Sequence, residues 1–151
     1  MAKVILNVAK AYDNGFISDI EKNKYFQLQK GATTRAELFS FAIAIAKMEQ
    51  KEPSVPQSIN TFVRVEYLNN FDALFSALYF DEKLKNNTEA IDDICNRDDV
   101  YTLAEKFANS GFGVLEDWFK NLDEETLMYK LISYMDNRYQ DIKEDVKNLI
   151  K

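Results

Sequence analysis

Residues 34–50 read TRAELFSFAIAIAKMEQ, the most apolar run in the chain. Thr34 followed three positions later by Glu37 is the pattern of a capping box, in which two side chains satisfy free backbone N–H groups at a helix start. Leu38, Phe39, Phe41, Ala42, Ile43, Ile45 and Ala46 then cover nearly the whole circumference of a helix. A helix that is apolar almost all round is buried on most sides. The spacing predicts a buried central helix over 34–50 with the rest of the chain arranged around it.

On its N-terminal side, KVILNV (3–8) is short enough to suit a strand or the first turns of a helix. Asp13-Asn14-Gly15 is a turn signal. YFQLQ (25–29) alternates as an edge strand would, and Gly31 breaks the chain before the central helix. On its C-terminal side, KEPSVPQS (51–58) holds both prolines and reads as an extended connection. TFVRVE (61–66) is β-branched and alternating, a second strand able to pair with the segment at Phe26 or with the N-terminal run. Asn69 or Asn70 starts a helix to about Phe80, with Leu74, Phe75, Leu78 and Tyr79 at helical spacing.

A short helix over 88–96 carries Ile91, Ile94 and Cys95. Asp98 and Asp99 suit the positive end of the next helix, whose apolar face is Val100, Leu103, Ala104, Phe107 and Ala108. Gly111 is expected to end it, and a new helix begins at Phe112 with Val114, Leu115, Trp118 and Phe119 on one side. Asp123 caps a last segment in which Leu127, Leu131, Tyr134 and Met135 are followed by Tyr139, Ile142, Val146 and Leu149. That segment is one long helix, or two broken near Asp136-Asn137. The fold expected is mainly α: one domain over 1–151, a compact bundle of five to seven helices around the 34–50 helix, with a small two- or three-stranded edge sheet.

Composition agrees. Eleven Phe and eight Tyr supply large buried areas, while four Gly and two Pro are too few for the tight turns of an all-β fold. No apolar span approaches about 18 residues, and the N-terminus has no cleavage-site pattern, so the expectation is a cytoplasmic protein with no membrane segment. Histidine is absent and Cys95 is the single cysteine. That removes Ser-His-Asp and Cys-His chemistry and structural zinc. No catalytic residue, cofactor or metal site is assigned, and the expectation is a protein that is not an enzyme. A net charge of -6 argues against wrapping nucleic acid.

Three stretches, LFSFAIAIAKMEQ (38–50), FVRVEYL (62–68) and VYTLAEKFANSGFGVLEDWF (100–119), occur here in that order. The order resembles a small accessory family found beside bacterial DNA phosphorothioation (Dnd-type) modification and restriction systems. The family's segment of the type Ala-Glu-x-x-Ala-Asn-x-Gly is matched by Ala104, Glu105, Phe107, Ala108, Asn109, Ser110 and Gly111. The likeness spans about 31–122. Where the family has a glycine ending its Ala-rich helix, this chain has Ala46 and Lys47. The resemblance implies a role in phage defence and carries no catalytic activity with it.

Glu105 and Asn109, four residues apart, share a helix face and form a candidate polar pair for a partner, against a plainer reading as a solvated face with a cap. Exposed aromatics at Phe112, Trp118 and Tyr139 are candidate anchors for a protein partner. Asp92-Asp93 and Asp98-Asp99 lack the alternating ligands and the glycine of a calcium loop. Cys95 reads as a small hydrophobe. Lys22, Lys24, Lys30 and Arg35 form a modest basic stretch beside Tyr25 and Phe26, a candidate nucleic-acid contact diluted by Glu21 and Glu37. The leading expectation is an interaction protein, an accessory subunit of a prokaryotic anti-phage module. The alternatives are an acidic inhibitor or DNA mimic using carboxylates from Asp81 onward, and a small DNA-binding regulator.

Overall fold

A computed structural model describes residues 2–22, 32–85 and 96–150. The expected strand at 25–29, the break at Gly31, the basic residues Lys24 and Lys30, and Asp92, Asp93 and Cys95 of the 88–96 helix lie outside them. Among the described residues the fold is mainly helical with a small two-stranded antiparallel sheet, as expected. The chain forms two compact units, Met1–Glu116 and Asp117–Lys151.

In the first unit, strand β1 (Ile5–Ala9) runs into helix α1 (Lys10–Tyr12), a wide π turn (Asp13–Ile17) and helix α2 (Ser18–Lys22). The Asp-Asn-Gly sequence therefore makes no hairpin. Gly15, at φ -97° and ψ -112°, is where the helical path kinks. Helix α3 (Ala32–Met48) is the predicted central helix. It already runs at Ala32, so Thr34 lies inside its first turn and does not form the expected capping box. Ala36, Phe39, Ala42, Ile43, Ile45 and Ala46 are buried, while Phe41 emerges at the surface.

Strand β2 (Ile59–Arg64) pairs with β1, one of the two partners expected for it; the other, at Phe26, lies outside the described residues. The register passes from Leu6↔Val63 to Asn7↔Thr61, leaving Phe62 as an extra residue in the ladder. Such a bulge bends the strand, and here it lets the successive residues Phe62 and Val63 both be buried. A 3₁₀ helix (Val65–Phe71) leads into helix α4 (Asp72–Lys85). Helix α5 (Arg97–Asn121) is continuous. The predicted stop at Gly111 is wrong. Val100, Ala104, Phe107, Ala108, Gly111, Phe112 and Leu115 keep one helical phase and share one buried face. Gly111 is there because α5 meets the backbone of α3 at that point, and a Cβ would meet Ala42.

A line of ring contacts crosses this unit. Phe16 meets Phe112 at 6.0 Å, Phe112 meets Phe62 at 5.9 Å, Phe62 meets Phe39 at 6.4 Å and Phe39 meets Phe75 at 6.2 Å. Phe75 ends the line edge-on to Tyr101 at 6.2 Å. The edge-to-face pairs among them, Phe112–Phe62, Phe39–Phe75 and Phe75–Tyr101, add about 0.5–1.5 kcal/mol each beyond the area they bury.

In the second unit, helix α6 (Glu124–Leu149) is a single helix without a break at Asp136-Asn137. Its N-cap is Asp123, as predicted: the carboxylate accepts from Thr126 N–H at 2.8 Å and from Thr126 Oγ1 at 2.9 Å.

Candidate docking surface

The residues of the Ala-Glu-x-x-Ala-Asn-x-Gly segment turn inward. Glu105 is only 7% exposed. Its carboxylate accepts from Lys3 Nζ at 2.7 Å, from the backbone N–H of Asn7 at 2.6 Å and from Asn7 Nδ2 at 3.1 Å. It ties β1 to α5 beside the bulge. Asn109 donates from Nδ2 to Ser54 Oγ at 2.7 Å, and Ser110 donates to the carbonyl of Glu52 at 2.6 Å. Ser54 N–H in turn donates to the Lys106 carbonyl at 3.1 Å. These residues pin the proline-bearing connection to α5. Glu105 and Asn109 are therefore neither a presented pair nor a solvated face.

Phe112 was expected at the surface and is fully buried, in contact with Tyr12, Phe16 and Phe62. The reason is helical phase: once α5 continues through Gly111, position 112 falls on the stripe of Ala104 and Ala108. Arg35 is equally engaged. It forks onto Glu21 at 2.7 and 3.1 Å, approaches Asp13 at 3.5 Å and lies 4.8 Å over the Phe62 ring. The hydrogen bond and charge of Glu21 raise its pKa against the cost of burial. It is a half-buried cation joining α2, α3 and β2. Of the remaining basic residues, Lys22 belongs to α2.

Several of the carboxylates from Asp81 onward are also in use. Asp81 receives Lys47 at 2.6 Å, which lowers its pKa. Asp98 accepts the backbone N–H of Lys3 at 2.7 Å, and Asp99 accepts from Asn96 at 2.9 Å. Among the described residues, no group of three or more acidic or sulfur side chains is arranged to hold a metal ion. No helix there is long and apolar enough to cross a membrane.

What the second unit leaves open is different in kind. Helix α6 carries two apolar stripes. Leu127, buried, and Leu131 and Tyr134, half-buried, form the first. Tyr134 meets Trp118 edge-on at 5.3 Å, and Lys130 Nζ sits 5.0 Å over the indole. Trp118 is thus half-covered by α6 rather than standing free.

The second stripe is Met128, Ile132, Met135, Tyr139, Ile142, Val146 and Leu149, all exposed, from 37% at Met128 to 86% at Leu149. The steps between them alternate four and three without a fault. That is the seam of a coiled coil, the pattern by which one helix packs a partner helix. Tyr139 is the one sequence-predicted anchor on this seam. Its other members were legible as apolar residues. In the sequence the alternation runs unbroken over three heptads, which marks a seam without showing which stripe is open. No family model, curated protein or solved structure matches the chain.

Proposed function

We propose that the chain is a non-enzymatic interaction protein whose docking element is the exposed seam of α6. The observation that carries this reading is the run of seven large apolar side chains at alternating spacing on one exposed helix face. Single exposed apolar residues are ordinary, but a contiguous stripe of this length marks an interaction surface. In the form the family resemblance suggests, the protein is an accessory subunit of a prokaryotic anti-phage module that modifies or restricts DNA. Its role would be to bring components together. The acidic-mimic alternative draws less support, because Asp81, Asp98, Asp99, Glu105 and Asp123 are already bonded within the protein.

Tagged wild-type chain and a Tyr139→Asp variant, both recovered from the native host at low and high salt, test the reading. Tyr139 is 61% exposed, so the change leaves the fold intact. The expected result is that association, with itself or with another protein, survives high salt in the wild type and is lost in the variant. Identical behaviour of the two chains overturns the reading.

A further inference from the structure

Resting on the reading of α6 as the docking element, we infer that its seam is occupied by α6 of a second copy of this chain. The two helices pair antiparallel about a centre between Gln140 and Asp141. In heptad terms Ile132, Tyr139 and Val146 take the a positions and Met135, Ile142 and Leu149 the d positions. An antiparallel pair sets each a residue against a d residue of its partner. About this centre Ile132 meets Leu149 of the second copy, Met135 meets Val146, and Tyr139 meets Ile142, each contact occurring twice. The six layers extend about 27 Å along the helix at 1.5 Å per residue.

The charges beside the seam select this arrangement. The charged e positions are Asp136 and Lys143, both exposed. In an antiparallel pair e flanks e, and such flanking charges set orientation and partner choice. With the centre between Gln140 and Asp141, Asp136 of each copy faces Lys143 of the other. Sliding by one heptad in one direction sets Asp136 against Asp136. Sliding in the other direction sets Lys143 against Lys143. In a parallel pair e faces g, so Asp136 would lie against Leu131 and Asp145 against Ile150, stranding both carboxylates. One register of one orientation thus joins six apolar layers to complementary flanks. Antiparallel packing also sets the two helix dipoles in opposition, which is favourable.

Sedimentation equilibrium of the purified full chain over a concentration series tests the inference. The mass should rise from the 17.5 kDa of one chain towards twice that value. Asp136→Lys places two like-charged pairs across the interface and should weaken association roughly tenfold, on the scale of exposed ion pairs. Combining it with Lys143→Asp should restore association.

Orientation is read by cross-linking in a Cys95→Ser background. Ile132→Cys and Leu149→Cys chains should form a disulfide-linked dimer when mixed, and neither should do so alone. Ile132→Cys linking to itself overturns the antiparallel arrangement. A chain that remains at 17.5 kDa at its highest soluble concentration, with its helical circular dichroism intact, overturns the inference itself. If Tyr139→Asp then still strips a co-purifying protein from the chain, the docking reading stands with a different occupant. If that change alters nothing, both fall.

Discussion

Gly111 on α5 lies against the backbone of Ala42 on α3: a Cβ at position 111 would stand 2.5 Å from the Ala42 carbonyl carbon and 3.0 Å from its Cα. Backbone cannot swing aside as the end of a long side chain can, so the two helices must separate to admit even a methyl group. Gly111→Ala should therefore cost about 3 kcal/mol, at the upper end of overpacking penalties, despite gaining about 1 kcal/mol of helix propensity. Gly113 provides the contrast. A Cβ there would meet only the end of the Tyr12 side chain, its hydroxyl at 3.0 Å. Gly113→Ala should be close to neutral or mildly stabilising. Urea denaturation of the two variants side by side decides; equal effects would remove the close crossing as the reason for Gly111.

Glu105 receives a lysine, a backbone amide and a side-chain amide in a nearly dry site. Truncation to Ala leaves those donors without an acceptor, so Glu105→Ala should destabilise the first unit by about 3 kcal/mol. Hydrogen exchange of the β1 amides, Asn7 above all, should quicken more than that of α3. The variant should still self-associate, because the seam lies on α6. Unchanged stability with lost association would instead make Glu105 a partner contact.

Asp123 caps α6, and its pKa is lowered, first by the N–H of Thr126 bonded to its carboxylate and then by the Thr126 side chain. A group whose folded-state pKa is depressed stabilises fully above its unfolded value, near 3.9 for Asp, and that contribution is lost as pH falls through the lower folded value. The Thr126 amide resonance should titrate with a midpoint below the ordinary aspartate range. In Asp123→Asn, which keeps an acceptor at every pH, that titration should vanish. A midpoint at or above the ordinary value would refute the capping assignment.

Gln50 closes α3 with φ 53°, in the left-handed region. Its N–H donates to the Lys47 carbonyl at 3.1 Å, and Lys51 N–H donates to that of Ala46 at 2.8 Å. This pair of bonds is the Schellman ending, which glycine usually occupies. A side chain in that conformation costs about 1–2 kcal/mol, partly offset by the greater freedom glycine loses on folding. Gln50→Gly should therefore stabilise by about 0.5–1 kcal/mol, seen as a higher denaturation midpoint with an unchanged slope. A lower midpoint would mean that the Gln50 side chain carries a contact worth more than the strain it imposes.

Much of this chain was legible one residue at a time. The central helix, the β-branched strand ending at Arg64 and the Asp123 cap depend on groups within about four residues of each other. The same locality made Gly111 look like a stop. A glycine after a helical run ends helices often, and nothing near it in sequence announces that Ala42, some seventy positions away, lies across it. Glu105 and Asn109 were placed on one helix face correctly, but their partners Lys3, Asn7 and Ser54 come from distant segments. Phe112 followed from the same misread phase.

On α6, residue types fixed the helix and its apolar content, because propensity and capping act locally. They did not show that Leu127 and Tyr134 are covered while Ile132 and Tyr139 are open. The two stripes are chemically alike. Which one is buried depends on the side of the helix turned towards the indole of Trp118, and that is settled by packing between elements, which no local preference encodes.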